Sequence, residues 1–313
     1  MKRRLFIKSS LSASFGTLLV PPNTLLDTLY FNKVEEIQVV DTHMHLWDLQ
    51  KLNYPWLENQ SEPLNKNYLV SDYQKATEDI PIKKIVFVES ARLDKQYLEE
   101  VDWVVGLSKI EPRIQGIVAF LPLEKGMDVM PEIETLLERK IVKGIRHGVN
   151  KELLGNYNFQ SNIQLISRYQ LSFDLNISPA VVPDALPLIR KCPDTVFILD
   201  HLCNPNIKDQ ELGSWKAHLK NLAEMDNVYC KISGLITKAD IVSWKPEDLK
   251  PYIDHALETF GPERLMFGSD WPVVLKAGSY QNWFSSLLQM LAELTPKENK
   301  QVFCGTAEEI YRL

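Results

Sequence analysis

The chain has 313 residues, 45% hydrophobic and 24% charged, a globular composition long enough for one large barrel or two smaller domains. Its formal charge of −6 and sequence pI near 5.6 argue against nucleic acid or an anionic membrane surface as principal partner, because both would be repelled. No internal repeat, low-complexity tract or bilayer-length apolar run interrupts the body of the chain.

Residues 1–30 read as an export signal and linker. Lys2-Arg3-Arg4-Leu5-Phe6-Ile7-Lys8 precedes a Ser-rich, weakly apolar stretch and then Pro21-Pro22, a layout that resembles the twin-arginine signal and implies a periplasmic or otherwise exported protein. No stable membrane insertion is expected after export. Residues 31–313 read as a single domain. Cys192, Cys203, Cys230 and Cys304 are widely spaced, with no C-x-x-C pair, and suit core filling better than a zinc knuckle or disulfide framework.

The first strand is expected at Ile37 to Asp41, leading into Thr-His-Met-His. Period-two alternation would then point Asp41, His43 and His45 the same way. A long connection follows, from Leu46 to Ser71, rich in Asn, Pro and aromatics (Trp47, Tyr54, Trp56, Tyr68), the size of a functional flap. From there strand and helix alternate. Strands are expected at Ile85–Glu89, Ile114–Phe120, Val142–His147, Ser172–Asn176, Thr195–His201, Val228–Ser233 and Leu265–Asp270. Helical spacing falls between them, near Lys95–Lys109, Pro131–Lys140, Ile163–Gln170, Asp184–Lys191, Gly213–Glu224, Leu249–Phe260 and Trp283–Leu294. Eight such units predict a (β/α)8 barrel of TIM type. A doubly wound sheet would carry a Gly-rich phosphate turn after its first strand, where this chain has histidines.

In such a barrel chemistry sits at the C-terminal strand ends, and the chain's unusual residues fall there. Strand one ends in Asp41, His43 and His45, strand two in Glu89, strand four in Arg146-His147, strand five in Asp174 and Asn176, and strand six in Asp200-His201. Strand seven carries Lys231 and Ser233, and strand eight ends Gly-Ser-Asp270-Trp-Pro. Four of the six histidines are in this set; His218 and His255 fall inside expected helices. His43 and His45, with His201 and Asp270, are therefore candidate metal ligands, and Asp270 is also a candidate base. Arg146 has the forked donor geometry to grip substrate oxygens, Glu89 reads as support for its neighbours, and Lys231 reads equally as a catalytic or substrate contact or an ion-paired strand-end lysine.

Together, Val-Asp-Thr-His-Met-His-Leu-Trp-Asp (40–48), Lys-Gly-Ile-Arg-His (143–147), Leu-Asp-His-Leu (199–202), Cys-Lys-Ile-Ser-Gly (230–234) and Phe-Gly-Ser-Asp-Trp-Pro (267–272) resemble the amidohydrolase superfamily. The likeness is greatest to its lactone-hydrolysing branch of sugar-acid lactonases and pyrone dicarboxylate hydrolases. That resemblance implies a distorted barrel with His43, His45, His201 and Asp270 in the site. Strand four lacks the bridging lysine and strand five the histidine of two-metal members, which limits the site to one divalent ion, zinc by preference, with a metal-free site as the alternative. The implied reaction opens a sugar-derived lactone to its acid. Asp270 would activate water, the histidines would polarise the carbonyl, and Arg146, His147, Lys231 and Trp47 would hold a small-molecule lactone or sugar acid. Two alternatives stay open: another reaction of the same barrel, such as amide hydrolysis or decarboxylation of an aromatic acid, and a non-catalytic exported sugar-binding barrel.

Overall fold

The computed structural model describes residues 37–126 and 129–313; the expected export signal lies outside them. Eight parallel strands run in sequential order: β1 (Val39–Met44), β2 (Ile82–Val88), β3 (Ile114–Ala119), β4 (Val142–Gly148), β5 (Ser172–Asn176), β6 (Phe197–Leu199), β7 (Val228–Ile232) and β8 (Leu265–Phe267). Helices fill each crossover, giving a (β/α)8 barrel. The strands are short, β-branched and almost wholly buried, as parallel strands covered by helices must be. No helix among the described residues is long and apolar enough to cross a membrane.

The ring closes between β1 and β8 beyond the end of the regular ladder. Met44 bridges Trp271, the Asp270 amide donates to the His43 carbonyl at 2.7 Å, and the His45 amide donates to that of Trp271 at 2.8 Å. Gly268 permits this approach, since a Cβ there would stand 2.8 Å from the His43 Cβ. The opposite mouth is filled by the last helix, Thr306–Tyr311, whose Ala307 and Tyr311 join Val40, Val86, Val88, Val118, Ile198 and Met266 in one buried cluster.

Two local departures shape the site. β1 carries an extra residue between Asp41 and Met44 relative to β2, so the alternation expected through Asp41, His43 and His45 is broken. Asp41 instead faces the helix layer, where its carboxylate accepts from the Tyr73 and Tyr280 hydroxyls and from the Ser269 amide and hydroxyl. β6 ends at Leu199, two residues before the expected limit, because His201, Leu202, Cys203 and Asn204 all adopt left-handed backbone, φ 49–60°. Each such residue costs about 1–2 kcal/mol outside glycine, so the turn depends on what pins it. The Asn204 side chain donates to Asn176 Oδ1 and the Ile177 carbonyl, and the Trp215 indole donates to the Leu202 carbonyl.

Candidate active site

The left-handed turn after β6 and the bulge in β1 swing three imidazoles together at the C-terminal mouth. Ring centroids lie 4.9 Å apart for His43 and His45 and 4.4 Å apart for His43 and His201. Asp270, itself at φ +58°, places Oδ1 3.4 Å from His45 Nε2 and 3.8 Å from His43 Nε2. All four side chains are at least nine-tenths buried. Gly234, at φ +64°, lies against the same pair: a Cβ there would fall 2.7 Å from His201 Nδ1 and 2.8 Å from Asp270 Oδ2.

The far nitrogens of these rings are tied down. His45 Nδ1 is 2.8 Å from the Val88 carbonyl, which can only accept, so Nδ1 carries a hydrogen and Nε2 faces the Asp270 carboxylate. His201 Nδ1 meets the Ser233 hydroxyl at 2.9 Å. His43 Nδ1 has Asp200 Oδ1 at 3.2 Å, close but without an aligned hydrogen bond, and Lys231 Nζ at 3.3 Å; its buried Nε2 has no partner among the described residues. Two ring nitrogens face one carboxylate, and one of them, His43 Nε2, is buried without a partner among the described residues, an arrangement with room for a cation between them. Two groups of described residues have the proximity to hold a metal ion: His43, His45 and Asp270, and His43, Asp200 and His201. The donor set, nitrogen plus carboxylate with each histidine buttressed from behind, suits a divalent ion such as zinc.

Burial holds His201 down to about 4 and His43 well below the usual imidazole range, so both rings are neutral near pH 7. Burial opposes ionisation of Asp270, but the facing imidazoles of His201, His45 and His43 outweigh it, and the carboxyl sits below its ordinary value.

Beneath the mouth a file of buried ion pairs supports the cluster. Arg146 donates through Nε to Asp200 Oδ2 and through Nη1 to Glu89 Oε1, each at 2.7 Å. Arg146 and Glu89 thus form a buried ion pair, with about a tenth of the arginine side chain still exposed. Lys231 is different. Its fully buried ammonium donates to Asp174 Oδ2 at 2.6 Å and lies 3.3 Å from Asp200 Oδ1, under His43, leaving no face for a substrate.

His147 is not brought to the cluster. Strand alternation sends it opposite to Arg146, against Phe120, Phe159 and Phe173, with Nε2 bonded to the Leu121 carbonyl. Trp47 is fully buried, its indole donating to the Lys66 carbonyl and its ring packed on Trp56 and Tyr68, so it holds the long first loop and does not line the mouth. Tyr68 in turn packs on Trp271, next to Asp270.

Two residues escaped the sequence analysis as site residues. Asp200 was visible beside His201, but that it would face His43 depended on the turn geometry. Lys238 had no local signal at all. It ends the turn Leu235–Lys238 that opens at Gly234, is partly buried, and feels Asp270: burial lowers its ammonium pKa and the Asp270 charge partly restores it.

Comparison with known proteins follows the same lines. A family model described as Amidohydrolase matches residues 40–313. An L-fucono-1,5-lactonase of Burkholderia multivorans is 29% identical over 296 residues, covering 88% of this chain and 96% of the relative. An L-rhamnono-gamma-lactonase of Scheffersomyces stipitis is 22% identical, covering 90% and 100%. Among solved structures, a Burkholderia multivorans amidohydrolase with bound Zn superposes at a TM-score of 0.79 with 26% identity, covering 88% of this chain and 99% of that one.

Proposed function

The chain belongs to the amidohydrolase family, and on that premise we propose that it opens a sugar-derived lactone to the corresponding hydroxy acid. The observation that carries this reading is the buried Asp270 carboxylate within 3.4–3.8 Å of two imidazole nitrogens at the barrel mouth. The lactonase names of the relatives support the substrate class.

Asp270, ionised at neutral pH, accepts a proton from water as the water oxygen bonds to the lactone carbonyl carbon. It then returns that proton to the ring oxygen as the carbon–oxygen bond breaks, so one carboxylate serves both halves of the reaction. Lys238 and the exposed edge of Arg146 meet the substrate's oxygens. His43, His45, His201 and Asp270 are the residues that would hold one zinc ion. When bound, such an ion supplies carbonyl polarisation and a more acidic water. Residues 1–30 direct export.

The product acid ionises, so each turnover releases a proton. A pH-indicator assay across a panel of aldonolactones therefore tests the proposal, with turnover of at least one sugar lactone expected. Inertness toward every lactone, with carbon dioxide released from an aromatic acid, would replace it.

A further inference from the structure

The middle of this barrel holds a polar layer that the reaction does not touch. Asp174, Lys231 and Tyr311 are fully buried among the valines, Ile198 and Met266 that line the interior. Removing a lysine and an aspartate from water costs several kcal/mol per ion, so such a pair is kept only for what it fixes or at the expense of stability. A hydrophobic trio of similar volume would fill the space.

What the layer fixes follows from its contacts. The Tyr311 hydroxyl donates to Asp174 Oδ2 at 2.7 Å, the oxygen that also accepts from Lys231 Nζ at 2.6 Å. Ser172 donates to the other oxygen at 3.1 Å. From Asp174 the ammonium reaches upward to Asp200 Oδ1 and His43 Nδ1, both at 3.3 Å. Asp200 is clamped from the side by Arg146. The two groups that flank His43 Nδ1 are thus each held by a second partner, and the imidazole has one direction left for Nε2, toward Asp270. Tyr311 comes from the last helix, at the opposite mouth.

We propose that Tyr311 is a positioning residue for His43, acting through Asp174 and Lys231. By sharing Asp174 Oδ2 with Lys231, the hydroxyl limits how strongly that oxygen draws the ammonium down. Without it, Lys231 settles deeper on Asp174, Nζ withdraws from Asp200 and His43, and the ring loses its support on the side away from Asp270. The proposal rests on the reading of His43 as a site residue but not on the identity of the substrate.

Tyr311→Phe removes one oxygen and leaves the ring in its apolar cluster. The primary readout is 15N-histidine NMR of the chelator-treated protein, with the His43 signals assigned from His43→Gln. In the variant the His43 ring-nitrogen shifts move while those of His218 and His255 stay fixed, and the melting temperature stays within a few degrees of wild type. Cobalt(II) titration gives the second readout: loss of a support behind a metal-binding histidine lowers metal affinity by about 10-fold or more. Should Tyr311→Phe fail to fold, Asp174→Asn carries the same two readouts, because its amide weakens the hold on Lys231. Unchanged His43 shifts and unchanged cobalt affinity in a folded variant overturn the proposal and reduce the layer to an anchor for the last helix. Neither readout needs lactone turnover, so failure of the lactonase assignment and failure of this proposal are separable.

Discussion

Gly234→Ala tests whether the backbone after β7 sets the spacing of the His201–Asp270 pair. The residue sits at φ +64°, a conformation that costs a Cβ-bearing residue about 1 kcal/mol or more. The added methyl would meet His201 Nδ1 at 2.7 Å and Asp270 Oδ2 at 2.8 Å, both inside the 3.0 Å that real Cβ contacts respect. Something must move by roughly 0.3 Å or more, and the fixed members are backbone: His201 lies in a pinned left-handed turn and the Asp270 amide is bonded to the His43 carbonyl. The side chains therefore give way. A loss of about 1–3 kcal/mol in urea unfolding is expected, within the range of point substitutions that strain a special backbone position. Because a displacement of about 1 Å can cost 10²-fold in rate, kcat for the responsive lactone should fall at least several-fold, beyond any change in folded fraction. Wild-type kcat in a folded Gly234→Ala protein would refute the claim that this glycine spaces the pair.

Further outcomes follow from the same contacts. Asp41→Ala strips the acceptor from Tyr73, Tyr280 and Ser269 at once and should lower stability by about 3 kcal/mol or more by urea unfolding, since buried donors left unpaired cost about 1–3 kcal/mol each. An Asp41→Ala protein as stable as wild type would contradict the role assigned to that carboxylate. Lys238→Met should raise KM for the lactone with little change in melting temperature, and an unchanged KM removes Lys238 from the substrate contacts. In the metal-free protein His201 titrates near 4 when folded against an ordinary 6.5, so the unfolded chain binds more protons between these values. Stability on the order of 3 kcal/mol is therefore present above pH 6.5 and lost as pH falls toward 4, measurable by urea titration across that window. Burial raises Glu100 to about 8 despite Arg92, so its contribution is present at low pH and lost as pH rises through 8. Glu100→Gln, which keeps an acceptor for the Ser90 amide, should gain on wild type progressively from about pH 4.5 to 8. A pH-independent difference would contradict that reading.

The barrel was legible because a parallel strand covered on both sides must be a continuous apolar run, and eight such runs alternate with helical spacing. Ser172–Asn176 was located to the residue. His43, His45, His201 and Asp270 were legible as a set for a related reason: polar residues at the ends of buried strands have nowhere to point but the mouth. What failed was direction. Unbroken alternation puts Asp41 on the side of His43, and the extra residue in β1 that separates them has no signature in Val-Asp-Thr-His-Met-His. Arg146 and His147 read as one group because they are neighbours in sequence, although the same alternation separates them across the sheet. In sequence Lys231 reads equally as a substrate contact or an ion pair, and its full burial beside Asp174 and Asp200 makes it the latter. Trp47 looked like a stacking surface because aromatics in a long loop read alike whether they line a mouth or fasten the loop.

Hydrolysis of sugar lactones by wild type and Asp270→Asn, followed by proton release and paired with melting curves, bears on whether Asp270 is the base. Asparagine keeps the side chain's shape but cannot accept the water proton. The rate should fall by about 10²- to 10⁴-fold with the fold retained. An Asp270→Asn protein that opens the lactone at the wild-type rate would contradict the mechanism.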